Sequence, residues 1–131
     1  MASTYEMYQE KILDHYRRPR NKGSLEHASH RGKDSNPLCG DEIAIDLLVD
    51  GTRRIVDVRF SGQGCAISLA SASMLTESIR GRTVEDASSL RDEDVVKALG
   101  IPLSAVRLKC ALLSVQVLRR ALGLPPQGKG S

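Results

Sequence analysis

The stretch from Ile43 to Phe60 constrains the fold of this chain more than any other. Ile43, Ile45, Leu47 and Val49 alternate with Ala44, Asp46 and Leu48, then Asp50 and Gly51 supply turn residues, and Val56, Val58 and Phe60 alternate with Asp57 and Arg59. A period of two puts an apolar face on each segment, which describes a half-buried antiparallel hairpin and not a helix. Such a face needs covering, and the flanking sequence offers helices to do it.

Before the hairpin, Tyr5, Tyr8, Ile12 and Tyr16 recur at helical spacing with Leu13 beside them; Ser3 or Thr4 can cap the start and Pro19 stops the helix. Residues 21–36 hold Gly23, Gly32, Ser24, Ser29 and Ser35 without periodicity, which reads as a long surface loop. After the hairpin, Ser61 to Gly64 form a short third strand or turn. A helix follows from about Ile67 to Arg80, with small residues at Ala70, Ser71, Ala72 and Ser73 that allow close packing, ended by Gly81. Asp92 can cap a shorter helix to Leu99. Leu108, Leu112, Val115, Leu118 and Leu122 make an apolar stripe on a last helix closed by Gly123 and Pro125. Central strands with helices on both sides in sequence predict an α+β fold, a small antiparallel sheet covered on one face by helices. The domain is expected over 1–124, with 125–131 as a disordered tail.

At 131 residues the chain can hide roughly two-thirds of its unfolded surface, so no covalent staple is needed. No apolar run approaches the roughly 20 residues that span a bilayer, and Met1 to Gln9 lack the apolar core of a signal peptide; a cytoplasmic, reducing location is expected. The net charge of +3 is mild, and with three Tyr, one Phe and no Trp there is little aromatic surface for bases to stack on. Neither nucleic acid nor a membrane is an expected partner. The densest basic patch, Arg17, Arg18, Arg20 and Lys22, reads first as a solvated helix end.

Chemistry concentrates at three cysteines, an odd count that disfavours a disulfide framework. Cys39 sits in Asn36-Pro37-Leu38-Cys39-Gly40-Asp41, Cys65 in Gly62-Gln63-Gly64-Cys65-Ala66-Ile67-Ser68, and Cys110 in Arg107-Leu108-Lys109-Cys110-Ala111. A buried structural cysteine usually sits among hydrophobes, whereas glycine-flanked loops and helix starts favour thiolates. Asp41 is the natural fourth member of the set, and three sulfurs with one carboxylate suit Zn²⁺, while thiolates also suit iron–sulfur units. No two cysteines form the close pair of a structural zinc module. Ligands drawn from separate elements make a site more open to exchange, and Gly40, Gly62 and Gly64 let the backbone approach closely. Three unrelated cysteines remain the alternative at this level. His15 reads as packed within its helix, His27 and His30 as solvated, and Met7 and Met74 as core gap-fillers.

Taken together, these three cysteine motifs, with Ala70-Ser71-Ala72-Ser73 after the second, and Ile12-Leu13-Asp14-His15-Tyr16 followed by Pro19-Arg20-Asn21 in the first helix, resemble the U-type iron–sulfur assembly proteins, the family of IscU, SufU and the NifU N-terminal domain. The resemblance runs from about Tyr5 to Gly123. It implies a three-stranded antiparallel sheet with Cys39, Asp41, Cys65 and Cys110 gathered at one exposed end as metal ligands, holding Zn²⁺ or a transient [2Fe–2S] cluster through the cysteines. It also implies a pyridoxal-phosphate cysteine desulfurase as the sulfur donor, with Cys39 or Cys110 accepting the persulfide, and apo iron–sulfur proteins as recipients.

Two features pull the resemblance in different directions. Lys109 before the last cysteine is SufU-like, where scaffold-type members carry a ligating His; a protonated lysine cannot ligate. The compact spacing between Cys65 and Cys110 is IscU-like and lacks the segment usually inserted in SufU, residues 87–102 supplying one short helix. Lys109 and Arg107 are expected beside the thiolates, Arg107 one helical turn before Cys110. Leu103-Ser104-Ala105-Val106-Arg107 stands where IscU proteins carry the chaperone-binding Leu-Pro-Pro-Val-Lys, which argues against a dedicated Hsp70-type chaperone. The function expected is a cluster-assembly scaffold, with a zinc-dependent sulfurtransferase as the alternative and a structural zinc module as the third reading.

Overall fold

The computed structural model describes residues 4–38 and 40–124. Helix α1 covers Thr4–Arg17, strands β1 to β3 cover His30–Asn36, Asp41–Val49 and Ile55–Gln63, and helices α2 to α5 cover Ala66–Ile79, Val84–Ser88, Asp92–Leu99 and Ala105–Ala121. The three strands form one antiparallel sheet in the order β1-β2-β3. Alternation explains its sidedness: Ile43, Ile45 and Leu47 of β2 and Ile55, Val58 and Phe60 of β3 are at most 1% exposed, so one face is sealed by helices. Helix α5 packs across β1 and β2, α2 lies on β3 and α5, α1 lies on α2, and α4 lies on α5.

The hairpin forms as expected, but its turn is made differently. Asp50 accepts hydrogen bonds from the Thr52 and Arg54 backbone N–H groups at 2.9 and 3.0 Å through Oδ1. The left-handed residue is Arg53, with φ 66°, and not Gly51. An Asp side chain standing in for a backbone acceptor stabilises such a turn without the Asp-Gly geometry.

The expected loop 21–36 is corrected by β1, which pairs along its whole length from His30 opposite Leu47 to Asn36 opposite Asp41. Its inward residues are His30, Gly32, Asp34 and Asn36, so the strand carries no apolar alternation for sequence reading to find. Gly32 explains how α5 reaches it: a side chain there would collide with the Val117 carbonyl and the Ala121 N–H of α5, and Arg120 clamps the same contact through Asp34 at 3.1 Å. The earlier part of that loop closes the opposite edge of the sheet, since Phe60 donates to the Asn21 carbonyl at 2.8 Å and accepts from Gly23 at 2.7 Å.

Three helix expectations also shift. Val84–Ser88 forms an extra short helix, with Thr83 capping the Asp86 N–H at 3.1 Å. The buried side of α5 is not the Leu108 stripe: Leu108 is exposed, while Ala111, Leu113, Val117 and Ala121 are buried with Val115 and Leu118. A helix wedged between a sheet and two other helices is apolar over most of its circumference, so no single stripe marks it. On α1, Ile12 and His15 are buried whereas Tyr16 is 43% and Met7 63% exposed, so Met7 is no core filler; Met74 packs against the core. The Ser3, Thr4 and Tyr5 side chains and the tail 125–131 lie outside the described side chains and residues. Among the described residues no helix is long and apolar enough to cross a membrane.

Candidate metal and sulfur site

At one end of the sheet, β2 begins at Asp41, and β3 ends at Gln63 opposite Glu42. Two residues after β3, Cys65 is the N-cap of α2 in extended conformation. The turn between β1 and β2 is shaped by Asn36, whose Oδ1 accepts the Leu38 N–H at 3.2 Å. Cys39 belongs to that connection and lies outside the described residues.

Asp41 is 1% exposed. Its Oδ1 accepts the Cys65 N–H at 3.1 Å, tying the first residue of β2 to the start of α2. Its Oδ2 is buried with no hydrogen-bond partner among the described residues. An ionised carboxylate oxygen left so is costly, and a cation is one way to satisfy it. Cys110, fully buried on α5, and half-buried Cys65 complete the arrangement: one carboxylate oxygen of Asp41 and the two sulfurs all lie within 4.8 Å of one another. A tetrahedral ion with metal–sulfur bonds of about 2.3 Å sets two sulfurs about 3.8 Å apart, so loading needs at most about an ångström of convergence.

The cysteines are not equivalent. Burial pushes the Cys65 thiol up, but the Ser68 N–H, the Cys110 thiol and the Ser68 hydroxyl outweigh it, with Asp41 adding a smaller opposing push; the result lies below the ordinary cysteine value. Cys110, expected near a helix N-terminus, is the sixth residue of α5, beyond the free N–H groups of the first turn. The dipole argument therefore applies to Cys65 and not to Cys110.

Arg107, in the first turn of α5 and exposed, faces the pair: its guanidinium is held above its ordinary value by the charge on Cys65 and a hydrogen bond to it, with a weaker contribution from Cys110. Lys109 is exposed on the same helix. Ser68 carries no role in the sequence reading; 1% exposed, it donates to the Cys65 carbonyl at 3.1 Å. Gly64, expected to let the backbone approach closely, is required for space, since a Cβ there would strike the Ser68 hydroxyl and approach Asp41 Oδ1 to 2.7 Å. The serine three residues after an N-cap was the available signal for Ser68. Gly40 and Gly62 take positive φ, 71° and 129°.

Residues 7–125 match the model of the NifU-like N terminal domain. The chain belongs to that family. It is 40% identical over 116 residues to the "Iron-sulfur cluster assembly scaffold protein IscU 1" of Archaeoglobus fulgidus, covering 88% of this chain and 74% of that one. It is 36% identical over 133 residues to the "Zinc-dependent sulfurtransferase SufU" of Bacillus subtilis, covering 88% and 89%. Among solved structures, a protein of Fervidobacterium islandicum proposed as an iron–sulfur cluster assembly scaffold for the SUF system aligns with a TM-score of 0.72 at 32% identity, covering 92% of this chain and 99% of that one. The three-stranded antiparallel sheet with flanking helices agrees with the family's fold.

Proposed function

We propose that this chain is an iron–sulfur cluster assembly scaffold. Cys39, Asp41, Cys65 and Cys110 hold Zn²⁺ or a nascent [2Fe–2S] cluster at the end of the sheet, and the cluster passes on to apoproteins. The observation that carries this reading is the convergence of Asp41, Cys65 and Cys110, with a buried carboxylate oxygen that has no hydrogen-bond partner among the described residues. The likeness to scaffold-named relatives supports it.

Sulfur arrives from a pyridoxal-phosphate cysteine desulfurase. The thiolate of Cys39 or Cys110 attacks the terminal sulfur of the donor's persulfide, forms a new sulfur–sulfur bond and releases the donor thiolate. Arg107 would screen the negative charge that collects beside Cys65, with Lys109 as a second cation at the rim. The chain works in a reducing, cytoplasmic setting and without a dedicated Hsp70-type chaperone.

A zinc-dependent sulfurtransferase is the second reading, favoured by Lys109 in place of a ligating His and by the likeness to the Bacillus subtilis protein. In it zinc keeps a cysteine ready, and the cysteine freed on docking takes the sulfur. Anaerobic reconstitution with iron, cysteine and a desulfurase separates the two. The scaffold should develop the optical spectrum of a [2Fe–2S] cluster and activate an apo-ferredoxin. Failure to hold any transferable cluster, together with strong acceleration of desulfurase turnover by the zinc form, would falsify the scaffold reading.

A further inference from the structure

A second cavity lies away from the cysteines, between α1, α2 and α4, with a volume of about 280 Å³. Its walls are apolar, contributed by Met74, Leu90, Val95 and Leu99, and Lys11, Glu77 and Asp94 stand among the lining residues. Ser71 is the unusual member. It is 1% exposed, and its hydroxyl has no hydrogen-bond partner among the described residues. Its neighbour Ser73 spends its hydroxyl on His15 at 2.8 Å and on the Arg20 N–H at 2.9 Å. An unpaired buried hydroxyl is a cost that alanine would avoid, so a ligand group that accepts from Ser71 offsets that cost.

Charge restricts the ligand further. Glu77 is already drawn toward His15 and Arg20, at 3.8 and 3.9 Å. Asp94 gives one oxygen to the Arg91 N–H and keeps the other, and Lys11 supplies a cation on the facing helix. Lys11 and Asp94 are both exposed at the rim, so they offer a ligand one cation and one anion at the cavity mouth, and a zwitterion meets both. The volume falls at or below the small end of ligand sites, about 300 Å³, which allows a compact molecule and no nucleotide.

We propose that this cavity binds a small zwitterionic amino acid with an apolar side chain whose far end carries a hydrogen-bond acceptor for Ser71. The carboxylate meets Lys11, the ammonium meets Asp94, and the side chain lies along Met74, Leu90, Val95 and Leu99. Methionine, whose thioether is a weak acceptor, is the test compound; norleucine has the same shape without the acceptor.

The experiment is a nitrogen-15 amide titration of the full chain with L-methionine, L-norleucine, N-acetyl-L-methionine and L-methionine methyl ester. At about 10 mM, roughly tenfold above a millimolar dissociation constant, methionine should give saturable shifts centred on Ser71, Leu90, Val95 and Leu99. Norleucine should bind up to about fivefold more weakly, and the two blocked compounds two- to fivefold more weakly. Ser71→Ala removes a buried hydroxyl and leaves the fold's spectrum in place; it should bring methionine down to the norleucine affinity, and Lys11→Gln should abolish the advantage of the free carboxylate. No saturable shift, shifts centred on Asp41, Cys65 and Cys110, or equal binding of all four compounds overturns the proposal.

Discussion

Gly64 and Asp41 set the geometry on which the site depends. A methyl group at position 64 meets the Asp41 carboxylate and the Ser68 hydroxyl, and both are held by contacts to Cys65. Gly64→Ala is therefore expected to cost about 1–3 kcal/mol by overpacking and to weaken zinc binding, since it displaces the Asp41 carboxylate, one oxygen of which lies within reach of both sulfurs; thermal melts and a competitive zinc titration measure the two effects. His15 makes a different prediction. Burial, then Arg20, hold its pKa below the ordinary value, against a smaller opposing pull from Glu77. A histidine with a depressed folded-state pKa destabilises the fold when protonated: the unfolded chain takes up the proton first, so stability is intact above about pH 6.5 and falls as pH drops through that value. Urea unfolding at about pH 7.5 and about pH 5.5 should show that loss, and His15→Gln should flatten it. An unchanged slope in the variant removes His15 as the cause. At this scale the sequence exposed the reactive residue types, because cysteine and aspartate chemistry belongs to the side chain itself. A close approach at Gly64 was legible, but its contact with Asp41 depends on a neighbour distant in sequence, as does the burial of Asp41, and neither could be read there.

Among the elements, β1 and α5 depend on each other. β1 is a seven-residue edge strand whose inward positions are polar or glycine, and it is held by its ladder to β2 and by close approach to α5. Gly32→Ala places a methyl against the Val117 carbonyl and the Ala121 N–H, both backbone groups that cannot turn aside. A loss of about 1–3 kcal/mol and faster amide exchange along β1 are expected, with the β2–β3 ladder keeping its protection. Equal loss of protection in all three strands would show that β1 is not the local weak point. The hairpin was legible because its pattern has a single period and a clear turn, and α2 because a run of small, helix-compatible residues ends at Gly81. Residues 30–36 were not: a strand that buries backbone and glycine instead of apolar side chains leaves no period-two signal.

On the scale of the whole molecule, the candidate metal site borders the core at one end of the sheet. The apolar core is built from the inward faces of β2 and β3 with buried residues of all five helices, whereas Asp41, Cys65 and Cys110 sit where β2 begins, where α2 begins and early in α5, Cys110 itself fully buried. Removing zinc with a chelator should lower the melting temperature by the lost binding free energy and leave the far-ultraviolet circular dichroism of the folded chain in place. A collapse of that signal on chelation would mark the site as a folding centre of the zinc-finger kind. By itself the sequence determined the α+β class, the hairpin, the principal helices and the residues able to hold metal, because propensity, periodicity and ligand chemistry are local. Only the tertiary structure decided that residues 30–36 make the third strand, which faces of α5 are buried, and the contacts by which Asp41 meets Cys65 and Cys110, a meeting that the sequence had implied through family resemblance alone. Those follow from contacts between residues tens of positions apart, whose free energy appears only after the chain has closed on itself.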